Sequence, residues 1–182
     1  MKLTLLSGTN RPGSNTRKVV TALAAFYAEA GHPADILDLA ELPAEIFQPS
    51  AYAQKPAAFA RFGDAILAID GVHLVTPEYN GGPPGVLKYF IDMLKFPEAF
   101  ERRPVAFTGV AAGSWGGLRP VEQLAAIFSY RYAHLFPERV FLPGIYDQLG
   151  EDGRLKDGES AKRLRAQAAG FAAFVGKLAG GK

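Results

Sequence analysis

Apolar residues recur along this chain in two alternating rhythms: short unbroken runs, and longer stretches with a period of about 3.6 residues. Residues 2–7 read as a strand, and residues 14–30 carry apolar positions at helical spacing that stop at Gly31. Residues 34–39 form a second strand, followed by a loop rich in Pro and aromatics over residues 42–56. A helix over 56–69 then sets Phe59, Phe62, Ile66 and Ile69 on one side. Strand 71–76 follows, then a helix after Pro83-Pro84 carrying Val86, Leu87, Phe90, Ile91 and Leu94. Strand 104–110 leads to a helix over 118–134 with Val121, Leu124, Ala125 and Phe128 inward. Strand 139–142 and a closing helix over 158–178 complete the order. Apolar strands alternating with helices require parallel pairing with helices over both faces. With right-handed crossovers, the commonest solution is an α/β three-layer sandwich with a five-stranded parallel sheet in order 2-1-3-4-5. Its ligand crevice lies at the carboxyl ends of strands one and three. The chain reads as one domain over residues 1–179, with residues 180–182 a frayed tail.

That topology demands chemically unusual loops after strands one, three and four, and the sequence has them. After strand one comes Gly8-Thr9-Asn10-Arg11-Pro12-Gly13-Ser14-Asn15-Thr16. Backbone N–H groups, hydroxyls, an arginine and the positive end of a helix can all face one anion there. The Walker pattern needs Lys after the second glycine, where Ser14 stands, and the dinucleotide fingerprint needs a third glycine at close spacing. The loop is therefore a phosphate cradle of another kind, or else an ordinary turn capped by Ser14 or Asn15. After strand three comes Thr76-Pro77-Glu78-Tyr79-Asn80-Gly81-Gly82-Pro83-Pro84-Gly85, where glycines let a flat ligand approach and prolines fix the backbone. After strand four, Ala111-Ala112-Gly113-Ser114-Trp115-Gly116-Gly117 sets a hydroxyl among glycines.

These loops resemble those of the flavodoxin-like NAD(P)H-dependent FMN reductases and quinone reductases. In that family the first loop reads Gly-Ser/Thr-x-Arg-x-x-Ser, then Asn or Thr. The loop after strand three reads Pro-Glu-Tyr-Asn-Gly-x-x-Pro-Gly-x-Leu-Lys, matched here from Pro77 to Lys88. The resemblance spans roughly residues 2–142, and Tyr89, where relatives usually have Asn, departs from it. It implies a flavodoxin-like fold and a bound FMN. Arg11 would counter the 5′-phosphate with Ser14, Asn15 and Thr16, and Thr9 would add a hydroxyl. Pro77, Glu78, Tyr79, Asn80 and Gly81 would carry the isoalloxazine edge, with backbone groups at Glu78, Asn80 and Gly81 addressing it. Gly113, Ser114 and Gly117 would border its pyrimidine side. It further implies NADPH or NADH as reductant and a small acceptor, namely a quinone, azo compound, metal oxyanion or free flavin. A homodimer or homotetramer is expected. Because the cofactor carries the chemistry, no side chain is assigned a catalytic role, and a general-base Glu78 is not favoured. A flavodoxin-type electron carrier and a non-catalytic flavin-binding protein are the alternative readings.

Composition narrows the field. A chain of 182 residues with 48% hydrophobic and 21% charged residues is ordinary for a globular protein, able to bury roughly 70% of its unfolded surface. The net charge is +2 with no clustered basic face, which argues against a nucleic-acid partner. The densest basic stretch, Lys162-Arg163-Leu164-Arg165, falls in a helical pattern as a solvated face. The absence of cysteine removes disulfides, thiol catalysis, zinc-thiolate sites and iron–sulfur clusters. No His, Asp and Glu set has metal-ligand spacing, so no metal is expected. No run approaches the roughly 20 apolar residues of a membrane span, and the opening run is too short for a signal peptide. A cytoplasmic protein is the expectation. Gly113-Ser114-Trp115-Gly116 lies near the nucleophile-elbow pattern of serine hydrolases. That mechanism needs an acid and then a histidine after the serine, yet no histidine follows His134. His73 is expected in the core, His32 and His134 at helix ends, and Phe47, Tyr52, Phe96 and Phe100 in loops on the crevice side.

Overall fold

A computed structural model describes residues 1–179; the expected frayed tail lies outside the described residues. Strands β1 (Leu3–Ser7), β2 (Ala34–Asp38), β3 (Gly71–Pro77) and β4 (Pro104–Val110) pair in parallel in the order 2-1-3-4. Every residue of β1, β3 and β4 is buried, as expected for strands covered on both faces. Alternate side chains feed two core layers. Leu5, Val75 and Ala106 pack with helices α1 (Asn15–Glu29) and α6 (Glu159–Ala179). Leu6, Leu74 and Phe107 pack with α2 (Ala60–Leu67), α3 (Gly85–Met93) and α4 (Leu118–Tyr130). Helix α1 stops where the sequence says it must. Gly31 sits at φ +80°, its N–H donates to the Ala28 carbonyl, and the His32 N–H donates to the Tyr27 carbonyl, a Schellman closure.

The fifth position of the sheet holds two short strands instead of one. β5 (His134–Leu135) pairs with Pro104 and Val105, and β6 (Val140–Leu142) pairs with residues 108–110, both parallel to β4. Pro137 lies between them and has no N–H to give to a ladder. Gln167 of α6 fills the gap: its Nε2 donates to the carbonyls of Phe107 (2.9 Å) and Glu138 (3.1 Å). The expected helix over 118–134 is shorter than its periodicity suggested. Tyr132 takes φ +60°, and the Arg131 guanidinium donates to the carbonyls of Ile91, in the last turn of α3, and Lys95, just after it. His134 therefore opens a strand and does not sit at a helix end.

His73 lies in the core, 1% exposed, within a chain of hydrogen bonds that crosses the sheet. Thr108 donates its hydroxyl proton to Gln167 Oε1 (2.8 Å), so Thr108 Oγ1 accepts from His73 Nε2 (2.9 Å). His73 Nδ1 then accepts from the Tyr27 hydroxyl (2.8 Å). The chain is satisfied only with a neutral imidazole, and burial holds the His73 pKa down to about 3.

The aromatics of the long loops divide. Phe47 and Tyr52 gather round Tyr89 with ring centroids 5.2 and 5.8 Å away, and the Tyr89 hydroxyl donates to the Ile46 carbonyl (2.8 Å). This is what the departure at Tyr89 does locally: it ties the segment after β2 to α3. Phe96 and Phe100 are not on the crevice side, because the crossover through α3 returns the chain to the amino-terminal end of the sheet before β4. Phe100 is fully buried against Phe128, centroids 4.6 Å apart, while Phe96 stacks on Tyr130.

Candidate cofactor crevice

The first loop leaves β1 through Gly8, whose N–H donates to the Val75 carbonyl of β3 (2.9 Å). A Cβ on Gly8 would stand 2.7 Å from that oxygen, so only glycine closes this turn. Thr9 is buried, and its Oγ1 accepts from the Arg11 N–H (3.2 Å) and lies 3.0 Å from the Tyr79 hydroxyl. It fastens the first loop to the loop after β3. Ser14 caps α1 by accepting from the Arg17 N–H at 3.1 Å. Arg11 is exposed at the loop's outer edge.

The loop after β3 folds into a two-residue hairpin. Tyr79 and Gly82 exchange both backbone hydrogen bonds (2.9 and 3.1 Å), and Asn80 and Gly81 take φ of +52° and +78°. This is a type I′ turn, which explains why Asn-Gly stands there. Helix α4 braces the turn from one side. Gln123 Nε2 donates to the Gly81 carbonyl (3.0 Å), and Arg119 Nη1 donates to Glu78 Oε1 (2.9 Å). The Glu78 N–H is committed to the Val110 carbonyl (3.1 Å). The N–H groups of Asn80 and Gly81 donate to no backbone acceptor among the described residues.

Between these loops lies a cavity of about 340 Å³, within the size range of small-molecule sites. It brings together seven residues expected from the sequence: Arg11, Ser14, Asn15, Thr16, Pro77, Glu78 and Tyr79. Thr9 stands behind its wall, and Asn80 and Gly81 form the tip of the hairpin beyond it. Gly113 and Ser114 are exposed and do not line the cavity. Gly117 is buried for another reason: with φ +86° it lies against β4, where a Cβ would come within 2.7 Å of the Val110 nitrogen. Val110, Ala111, Ala112, Ile145 and Tyr146 also line the cavity, and sequence reasoning missed them. Alanines carry no chemical signal, and Tyr146 comes from a four-residue helix, α5 (Ile145–Gln148), too short for periodicity to reveal. A larger hollow of about 610 Å³ lies at the opposite end, among Asp70, Arg103 and Val175, where strands begin.

Close packing behind the crevice yields a sharp expectation. A Cβ on Gly109 would meet the carbonyl oxygens of Gly116 and Gly117 at 2.6 and 2.8 Å. Gly109→Ala must push the loop after β4 off the strand, lowering stability by about 2–4 kcal/mol, a range typical of severe core strain. Urea unfolding of the variant and the parent measures it.

The donor set suits FMN. Ser14, Thr16, Arg11 and the amino terminus of α1 offer hydroxyls and positive charge to a phosphate. The hairpin presents unshielded backbone to a flat ring. A profile of NADPH-dependent FMN reductases matches residues 1–147. The chain belongs to this family. It is an FMN-dependent oxidoreductase that uses NADPH or NADH. It is 33% identical over 171 residues to the NADPH azoreductase of Bacillus sp. strain OY1-2, covering 91% of this chain and 92% of that one. It is 31% identical over 175 residues to a quinone reductase of Pseudomonas putida KT2440, covering 92% and 91%. In three dimensions it resembles FerB, an NAD(P)H:acceptor oxidoreductase of Paracoccus denitrificans (TM-score 0.80, 22% identity, 97% of each chain). An archaeal flavodoxin superposes with a TM-score of 0.65 at 11% identity over 97% of this chain and 99% of that one. The fold is therefore flavodoxin-like, with the expected strand order extended by β6 at the broken fifth position.

Proposed function

We propose that the crevice holds FMN and that the protein passes a hydride from NADPH or NADH to a small acceptor, a quinone or an azo compound first among them. A metal oxyanion and free flavin belong to the same class of acceptor. The observation that carries the reading is the convergence of Arg11, Ser14, Asn15 and Thr16 with Pro77, Glu78 and Tyr79 on one cavity. When bound, FMN supplies an electron-pair store that nicotinamide can fill and an acceptor can empty. The protein's task is placement. Arg11, Ser14, Asn15 and Thr16 anchor the phosphate, with Thr9 holding Arg11's backbone and the Tyr79 hydroxyl in register. Pro77 and the hairpin of Tyr79, Asn80 and Gly81 support the ring. Gly113, Ser114 and Gly117 shape the neighbouring loop, which would border the ring's pyrimidine side. The described residues act as one domain.

The same reading includes a cytoplasmic homodimer or homotetramer. Large aromatic side chains at and beside the crevice, Trp115 (59% exposed) and Tyr146 (67%), are the kind of surface that interfaces cover. The net charge of +2 suits acidic-surface docking of a flavodoxin-type carrier poorly, and neither such a carrier nor a non-catalytic flavin-binding protein would turn over. Anaerobic stopped-flow mixing of the FMN-loaded protein with NADPH or NADH separates the three. Rapid bleaching, followed by reoxidation on adding benzoquinone or an azo dye, is expected, with ping-pong steady-state kinetics. Failure to take up FMN, or bleaching too slow to support turnover, overturns the proposal.

A further inference from the structure

Trp115 is the chain's single tryptophan, and it stands in solvent beside the crevice with 59% of its surface exposed. Its mounting is firm. The Trp115 carbonyl accepts from the Leu118 N–H (3.0 Å), and Gly116 and Gly117, which follow it, lie pressed against Leu142 and Gly109. Arg119, in the first turn of α4, is its neighbour, with the guanidinium carbon 5.9 Å from the centroid of the indole, within reach of a cation–π contact. Arg119 Nη1 in turn donates to Glu78 Oε1 at 2.9 Å, and Glu78 lines the cavity. An exposed aromatic ring is thus joined through one guanidinium to the crevice wall.

The ion pair leaves most of Arg119 unused. The Glu78 side chain is only 14% exposed, whereas that of Arg119 is 54% exposed and covers the acid on its solvent side. Arg119 Nε and Nη2 have no hydrogen-bond partner among the described residues. Because the pair is neutral as a whole, its attraction at long range is small. At contact it still offers a planar fork of donors next to a flat ring. An inorganic oxyanion could use only the fork, and an uncharged quinone only the ring. A planar aromatic molecule bearing a carboxylate or sulfonate uses both at once.

We infer that Trp115 and Arg119 form the acceptor-selecting edge of the crevice, favouring planar aromatic acceptors that carry an acidic group. The inference rests on FMN occupying the crevice and on electrons leaving it for a small acceptor. Such a molecule has to come to the crevice to be reduced, and the contact with Glu78 sets the pair at its wall. Trp115 supplies a stacking surface, and Arg119 holds the anionic group through the N–H groups that Glu78 does not take.

A single tryptophan makes binding directly visible. The FMN-loaded, oxidised protein is titrated with anthraquinone-2-sulfonate and with 2-(hydroxymethyl)anthraquinone, which has the same rings without the charge, and the emission of Trp115 is followed. Both should quench it saturably, the sulfonate about 3- to 10-fold more tightly, as suits a charge-assisted contact at a half-exposed site. Arg119→Ala should abolish that preference and Arg119→Lys, which keeps the charge without the fork, should retain part of it. In steady-state reduction of methyl red and of its methyl ester, the ratio of the two kcat/KM values should fall by a similar factor in Arg119→Ala. Trp115→Ala should raise KM for both dyes about 2- to 10-fold through loss of stacking, with Trp115→Phe restoring most of it. A preference that survives in Arg119→Ala overturns the inference. So does Trp115 emission that neither probe moves, as when a second copy of the chain covers the ring. A parent protein that takes up no FMN, or that NADPH and NADH fail to bleach, defeats the reading of the crevice instead, and that result is read before any acceptor is added.

Discussion

Arg11→Ala should bind FMN about 10- to 150-fold more weakly than the parent, corresponding to the 1.5–3 kcal/mol of a charge-assisted hydrogen bond. Arg11 lines the crevice beside the amino terminus of α1, and its side chain makes no ion pair among the described residues. A guanidinium offers a planar fork of donors suited to phosphate. A nearby arginine provides the control. Arg17 lies in the first turn of α1 and is paired with Asp38 (Nε to Oδ2, 3.0 Å), so Arg17→Ala should leave the flavin affinity almost unchanged. Titrating each apoprotein with FMN decides between a specific role and a general effect of positive charge. Equal affinities for the parent and Arg11→Ala would remove Arg11 from the site.

A second large effect lies away from the crevice. His73 is neutral in the folded protein, with its pKa held down to about 3 by burial, while in the unfolded chain it titrates at about 6.5. Below pH 6.5 the unfolded state binds the extra proton, so this residue lowers stability by about 1.4 kcal/mol for each pH unit down towards 3. Above pH 6.5 its contribution is fully present. Between pH 7 and pH 5 the parent should therefore lose about 2 kcal/mol through His73 alone. His73→Gln should be less stable at pH 7 by about 1–3 kcal/mol, because Tyr27 and Thr108 lose a fitted partner. It should lack that slope, so the two stability curves converge as the pH falls. Urea unfolding at pH 7 and pH 5 tests this, and parallel curves would mean that His73 is not held neutral.

The order of elements and the place of the crevice were legible in the sequence because both depend on short-range pattern. Apolar runs and helical spacing are local signals. Once strands alternate with helices, handedness and parallel pairing leave little choice of where the winding reverses. Ser14, Gly31 and the Asn80-Gly81 pair likewise declare themselves, since a cap, a helix stop and a type I′ turn each require particular residue types at particular backbone angles. Seven of the expected site residues meet at one cavity because the loops that carry them leave the sheet at neighbouring strands.

Whatever rested on partners distant along the chain was decided only by the tertiary structure. Helix α4 stops at Tyr130, with the Arg131 side chain reaching the carbonyls of residues 91 and 95. The fifth strand splits at Pro137, and its broken ladder is mended by Gln167, which lies 59 residues after Thr108 in the sequence and bonds it in the core. Thr9 and Ser14 look alike as hydroxyls in one loop, yet packing turns Thr9 into a fastener and leaves Ser14 on the crevice wall. Phe100 and Phe47 look alike as loop aromatics, yet Phe100 is fully buried against Phe128 while Phe47 stays partly exposed against Tyr89. Local sequence specifies backbone geometry within a few residues. Which buried polar group meets which donor is settled only when the layers close on one another.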